Sequence, residues 1–290
     1  MTSRLKFIGV IASALLAFSC ASQPEPAQTR KVVITYPNKS GSQWPLYLAK
    51  ETGSYAKYGL DVQLEFVAFP GNVAALASGQ SQMVNTSLEQ DMQAASKDGS
   101  LSLIGSSLNR GTFALVSNKN IKSVQDLKKK KIAVTQIGDA PYGYVVAILA
   151  KAGLTDRDVE WIPVGGPVAG RAAALTSGRA DATILTAPSY FKLETEGYNV
   201  LVNLAERDDI FASTAYLVQT KDLADSKLTE ALVKAHAEAI KTFYADKAAA
   251  VAAYRKYDPE IAPEDAERTD RKSTRLNSSH MSESRMPSSA

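Results

Sequence analysis

Six short polar loops carry the residues best suited to chemistry in this sequence. They are Asn38-Lys39-Ser40-Gly41-Ser42-Gln43-Trp44, Phe69-Pro70-Gly71-Asn72, Asn85-Thr86-Ser87, Gln136-Ile137-Gly138-Asp139, Gly165-Gly166 and Thr186-Ala187-Pro188. Glycine lets a ligand approach the backbone closely, while hydroxyl and carboxamide groups orient it by hydrogen bonds. Each loop alone also reads as an ordinary N-cap or turn. Six of them at matching positions read as a binding surface. The candidate ligand contacts are Asn38, Ser40, Gly41, Gln43, Trp44, Gly71, Asn72, Thr86 and Ser87 in the first half. Gln136, Gly138, Asp139, Gly166 and Thr186 follow in the second half, with Arg110 between the two.

Three of these residues carry two readings. Trp44 either stacks on a planar ligand group or packs the first helix onto its sheet. Arg110 either pairs with a carboxylate or sulfonate or is a solvated loop residue. Asp139 either caps the helix that starts near Pro141 or binds a ligand amine. Catalytic chemistry finds little support. There are two His and one Cys in 290 residues, and no Gly-x-Ser-x-Gly elbow. A multi-histidine or thiolate metal site is excluded on the same count, and no cofactor is implied. His236 falls in an Ala-rich amphipathic helix and reads as structural. The run Lys128–Lys131 lacks interleaved aromatics and reads as a solvated turn, so no nucleic-acid partner is expected.

The elements that must position the loops alternate between strands and helices. Strands are expected at 31–36, 61–67, 131–135, 159–164 and 181–185. Helices are expected at 43–57, 71–78, 141–152, 168–177 and 188–194. Alternation of this kind argues for parallel α/β sheets. It happens twice. Ala74-Ala75-Leu76-Ala77-Ser78-Gly79 recurs as Ala173-Ala174-Leu175-Thr176-Ser177-Gly178, and Lys57-Tyr58-Gly59-Leu60 as Lys151-Ala152-Gly153-Leu154. The shared order indicates two related lobes. Further strands at 101–106 and 113–116 lead into the second lobe. A strand at 214–219 and an amphipathic helix at 227–244 return to the first. The chain therefore crosses between lobes twice. Ligands of open α/β sheets sit beyond the carboxyl ends of the strands, where helix N-termini offer free N–H groups. Two facing lobes can thus hold an anion without many Lys or Arg.

Both ends of the chain stand apart. Arg4 and Lys6 followed by the apolar stretch 7–18 form an export signal, too short to span a bilayer. Leu16-Ala17-Phe18-Ser19-Cys20 resembles a bacterial lipobox, in which Cys20 would be lipidated. Ala17 and Ser19 also fit plain signal cleavage. From Asp270 the sequence DRKSTRLNSSHMSESRMPSSA back-translates to what resembles a sequencing-library adapter read in frame. It is expected to be disordered, with the natural sequence cut near Thr269. The whole chain has 33 basic and 30 acidic residues, a net charge of +3. Without the four basic and two acidic residues of the tail, and without Arg4 and Lys6, 27 basic face 28 acidic. The apparent basicity belongs to the ends.

One resemblance spans nearly all of residues 31–219. Pro45-Leu46-Tyr47-Leu48-Ala49-Lys50 with Gly53, Tyr58-Gly59-Leu60-Asp61-Val62, Ala74–Gly79, Ile121–Lys128, Gly153-Leu154 with Asp158-Val159, and Ser177-Gly178 with Asp181-Ala182 carry it. Together they resemble the periplasmic substrate-binding proteins of ABC importers, in the nitrate/sulfonate/taurine group related to thiamine-precursor binders. One departure is Lys129, where that family usually has Gly. The resemblance implies an α/β, two-lobed periplasmic binding protein of type II, each lobe a sheet flanked by helices, with a two-strand hinge. The expected organisation is a signal at 1–19, a tether at 20–30, lobe 1 at 31–112 and 208–269, lobe 2 at 113–207, and the tail at 270–290. The implied function is capture of a small organic or oxo-anion for a membrane ABC permease, by a monomer anchored through Cys20 if that residue is lipidated. Pyrimidine precursors, aromatic acids and a periplasmic sensing role are the alternatives. The fold's synthase relatives use an active-site His and a Cys-rich segment, both absent here.

Overall fold

The computed structural model describes residues 29–108, 111–207 and 213–273. Cys20, Arg110 and most of the Ser-rich tail lie outside the described residues.

The first half builds β1 (Arg30–Tyr36), α1 (Trp44–Glu51), α2 (Ser54–Lys57), β2 (Leu60–Phe66), α3 (Gly71–Ala77), β3 (Met83–Ser87), α4 (Leu88–Lys97) and β4 (Leu101–Leu108). The second builds β5 (Phe113–Ser117), β6 (Lys131–Val134), α5 (Ala140–Lys151), β7 (Glu160–Pro163), α6 (Val168–Thr176), β8 (Ala182–Thr186), α7 (Phe191–Thr195) and β9 (Asn199–Asn203). The chain then returns through β10 (Thr214–Gln219) and ends in α8 (Ser226–Ala245), α9 (Lys247–Tyr257) and α10 (Pro263–Ser273). The helix expected over 43–57 is divided, because Gly53 turns left-handed at φ 75° between α1 and α2. α10 continues past Thr269, where the sequence reading set its boundary.

Among the described residues ten strands form two five-stranded sheets. One has the order β2-β1-β3-β10-β4 and the other β7-β6-β8-β5-β9. Aligning β1, β2 and β3 with β6, β7 and β8 makes the two orders identical. In each sheet these three strands are parallel, and the strand beside them (β10 or β5) is antiparallel. The repeat read from Ala-Ala-Leu-x-Ser-Gly is thus a repeat of whole lobes. The chain leaves the first sheet after Leu108 and rejoins it at Thr214, and the two points touch, the Ser213 N–H donating to the Leu108 carbonyl at 2.8 Å.

Helices cover both faces of each sheet. The largest core lies between the first sheet and α1, α8 and α9, and includes Ile34, Leu48, Leu232 and Tyr254. In the second lobe α5 packs Val145, Ile148 and Leu149 against Ile132 and Ile184, and α6 and α7 cover the other face with Leu175 and Phe191. In both lobes the helices between parallel strands begin at the strands' carboxyl ends, so their N-termini share one edge with the polar loops. Among the described residues no helix is long and apolar enough to cross a membrane.

Candidate binding site

On lobe 1, a chain of hydrogen bonds runs from β3 to the loop after β1. Asn85 donates through Nδ2 to Gln43 Oε1 at 2.7 Å, and Gln43 donates through Nε2 to the Ser42 hydroxyl at 3.3 Å. Ser42 and Ser40 share a hydroxyl contact at 2.7 Å, and Ser40 donates to Asn38 Oδ1 at 2.6 Å. Ser40 also caps a 3-10 turn at Gly41–Gln43 that leads into α1. The side chains in this relay fix one another's orientation, which sets the direction of every remaining donor and acceptor. Asn85 Oδ1 is enclosed with no partner among the described residues, as are both side-chain amide atoms of Asn72. Asn72 sits in the first turn of α3, and its carbonyl lies 3.4 Å from the Thr35 hydroxyl at the end of β1.

The lobes meet over this relay. The Gly41 N–H donates to the Ala187 carbonyl, in the loop after β8, at 3.5 Å. Thr186 ends β8 beside it and is buried. Across lobe 2 the loop 136–138 is exposed, and Gly138 (φ +88°) and Gly166 (φ +63°) both leave open space where a side chain would project. Of the sequence candidates, Asn38, Ser40, Gly41, Gln43, Gly71, Asn72, Thr86, Gln136, Gly138, Gly166 and Thr186 therefore lie at the facing strand ends.

Three candidates are committed elsewhere. Trp44 is fully buried: its ring stacks on Tyr254 at 4.7 Å, meets Phe243 edge-on at 5.2 Å, and donates through Nε1 to the Ala250 carbonyl at 2.6 Å. The packing alternative is the one realised, and ligand stacking by Trp44 is withdrawn. Asp139 is the N-cap of α5, accepting from the N–H groups of Tyr142 (2.9 Å) and Gln136 (3.2 Å). Burial raises its pKa, against the lowering effect of those two N–H bonds. Of its two readings, the structure displays the helix cap. Ser87 caps α4, accepting from the Gln90 N–H at 3.4 Å, and the neighbouring Thr86 hydroxyl donates to Gln90 Oε1 at 2.6 Å. That helix start is built by the two residues together.

The sequence reading missed one charged group here. Arg171, in the first turn of α6, is only 5% exposed. Its Nε donates to the Ile184 carbonyl at 2.9 Å and its Nη1 to the Thr135 hydroxyl. Burial lowers its pKa to about 10, against the opposing field of Asp139. The available signal was an arginine one turn into an otherwise small-residue helix, just after Gly165-Gly166-Pro167. His236, by contrast, lies in the lobe 1 core, paired with the Tyr55 hydroxyl at 2.5 Å and edge-on to Tyr216. Among the described residues no group of His, Cys, Asp or Glu could hold a metal ion.

A further set of contacts bridges the lobes through α10. The Arg268 guanidinium, on α10, pairs with Glu194 and lies 4.1 Å over the Phe191 ring, both on α7 of lobe 2. Ala266 and Thr269 on the same helix are buried.

Solved structures share this architecture. A protein from Bordetella bronchiseptica RB50 superimposes with a TM-score of 0.69 at 25% identity, over 85% of this chain and 82% of its own. The alkanesulfonate-binding protein SsuA from Xanthomonas axonopodis pv. citri, bound to MOPS, gives 0.68 at 20% identity over 85% of each chain. The periplasmic aliphatic sulphonate binding protein SsuA from Escherichia coli gives 0.69 at 20% identity, over 83% of this chain and 82% of its own. The chain has the fold of the periplasmic binding proteins. No curated protein matches it in sequence. The family model described as NMT1/THI5 like matches residues 41–250, well over half of the chain, and the protein belongs to that family.

Proposed function

We propose that this protein is the extracytoplasmic solute receptor of an ABC importer, closing its lobes over a small organic or oxo-anion of the sulfonate, taurine or nitrate type. The observation that carries this reading is the meeting of Gly41 and Ala187 across two sheets of identical strand order, above the Asn85–Gln43–Ser42–Ser40–Asn38 relay. Donors fixed by one another and a buried guanidinium suit an acceptor-rich ligand, which needs little reorganisation to bind. Two solved relatives of this fold are named for sulfonates, which supports that class of ligand. An export signal and a lipidated Cys20 would place the receptor on the outer side of the membrane beside its permease. Against an enzyme stands His236, enclosed in the core rather than at the cleft.

The test is a thermal-shift and calorimetric screen of the mature chain against alkanesulfonates, taurine, nitrate, aromatic acids and pyrimidines. A ligand at a hundred times its Kd stabilises by about 2.7 kcal/mol, which moves Tm by about 5–10 °C at this size. One-to-one binding of an anion supports the receptor. Binding of a pyrimidine alone moves the ligand class. No shift from any compound refutes the reading.

A further inference from the structure

The guanidinium of Arg171 spans two strands of the second sheet. Ile184 belongs to β8, and Thr135 directly follows β6 at its carboxyl end. β6 and β8 are parallel neighbours, paired through Ile132–Ala182 and Ala133–Thr183, so the guanidinium lies just beneath the lobe 2 edge that faces lobe 1. It emerges from α6, whose N-terminus opens onto the same edge.

Arginine carries five N–H donors in a fixed plane. Two are committed here, one from Nε and one from Nη1. Nη2 and the second proton of Nη1 have no partner among the described residues. No described carboxylate forms an ion pair with it either. Asp139 supplies a favourable field, yet its two oxygens accept the backbone N–H groups of Tyr142 in α5 and of Gln136 in the loop before it. A buried cation with free donors and no counter-ion is costly to a fold, and an anion placed on it recovers that cost.

We propose that Arg171 holds the anionic head of the ligand, with Nη2 donating to a sulfonate or carboxylate oxygen. The two bonds to Ile184 and Thr135 fix the plane of the guanidinium, so the remaining edge is presented without loss of side-chain entropy on binding. The N-terminus of α6 adds a partial positive charge of roughly half an elementary unit. Gly166, in the loop that leads into α6, leaves open space where a side chain would project. Charge recognition then belongs to lobe 2, while the hydroxyl and carboxamide relay of lobe 1 reads the remainder of the molecule. This inference rests on the receptor reading and deepens it.

The experiment is calorimetry on wild type, Arg171→Gln and Arg171→Lys with three pairs of probes. Each pair sets an anionic head group (the charged probe) against a neutral one (the neutral probe) on the same body: pentanesulfonate and pentanesulfonamide, taurine and its sulfonamide, benzoate and benzamide. Wild type is expected to favour the charged member. Arg171→Gln is expected to weaken the charged probes about 100-fold and the neutral ones less than about threefold, as fits loss of a charge-assisted bond. Arg171→Lys keeps the charge without the fork, and is expected to lose about tenfold on the charged probes. Should Arg171→Gln not fold, Arg171→Lys decides alone. Wild-type affinity in the folded variants, or equal losses for charged and neutral probes, overturns the role of Arg171 and leaves the receptor reading standing. Wild type that binds only neutral probes also overturns it. Wild type that binds none of the probes overturns the role of Arg171, and the receptor reading then stands or falls by the wider screen.

Discussion

Acidification tests the placement of His236. Burial drives its pKa down from 6.5 to about 3. The ring is enclosed between Tyr55 and Tyr216, with Nε2 held by the Tyr55 hydroxyl. The native chain therefore keeps a neutral imidazole, while the unfolded chain protonates near 6.5. The contribution to stability is complete above that value and is lost as pH falls from 6.5 toward 3, at about 1.4 kcal/mol per unit. Between pH 7.5 and 5 the loss is about 2 kcal/mol, and the ceiling near pH 3 is about 5 kcal/mol. The assay is urea denaturation at half-unit steps from pH 7.5 to 4.5, for wild type and for His236→Gln. Carboxylates titrate alike in both, so the difference between the two curves isolates the imidazole. Loss of the Tyr55 pairing lowers the variant by a pH-independent amount, and the gap should then close by about 2 kcal/mol on reaching pH 5. A gap that stays constant with pH would refute the buried neutral ring.

Asp91 acts in the opposite sense. Its carboxyl is enclosed without a partner among the described residues, and burial followed by the charge of Glu89 pushes it up to about 9. A raised carboxyl favours the fold below 3.8 and opposes it as pH rises, so Asp91→Asn should stabilise at pH 7.5, with about 5 kcal/mol as the ceiling and less than about 1 kcal/mol at pH 4. Denaturation at the two pH values checks this. Lys129 holds φ at 62°, in the left-handed region. Lys129→Gly should raise stability by about 0.5–1 kcal/mol, read from the urea midpoint, and leave ligand affinity unchanged. Arg268 joins α10 to Glu194 and Phe191 of the other lobe. Arg268→Ala removes about 1 kcal/mol of contact, so ligand Kd should rise about fivefold and the radius of gyration of the ligand-free protein should grow in solution scattering. Equal radii for the two proteins would show that α10 does not hold the lobes together.

Most of the fold was legible because each lobe repeats the same punctuation. Gly59 and Gly153 end one helix and Gly79 and Gly178 another, each at positive φ and each followed by a strand as the next long element. What escaped was short or compositionally mixed. β3 reads Met-Val-Asn-Thr-Ser, and its Asn85 and Thr86 are buried polar residues that look like loop from sequence. β9 is five residues of half-buried Asn-Val-Leu-Val-Asn. The site was legible as loops, because Gly, Ser and Asn mark strand-to-helix turns. It was not legible in its side-chain allegiances. Trp44 depends on Tyr254 and Ala250, more than 200 residues away, and no local pattern announces such a partner. Arg171 was hidden for a similar reason, since its meaning lies in the carbonyl of Ile184 and the hydroxyl of Thr135.

The strand orders also set a timetable for assembly. Every strand of the second sheet lies between Phe113 and Asn203, so that lobe can close on itself as soon as this stretch of chain is free. The first sheet cannot. Among the described residues β4 pairs with β10 alone, and β10 also supplies the second neighbour of β3, so both wait for Thr214–Gln219. The half of the molecule that leaves the ribosome first is therefore completed last.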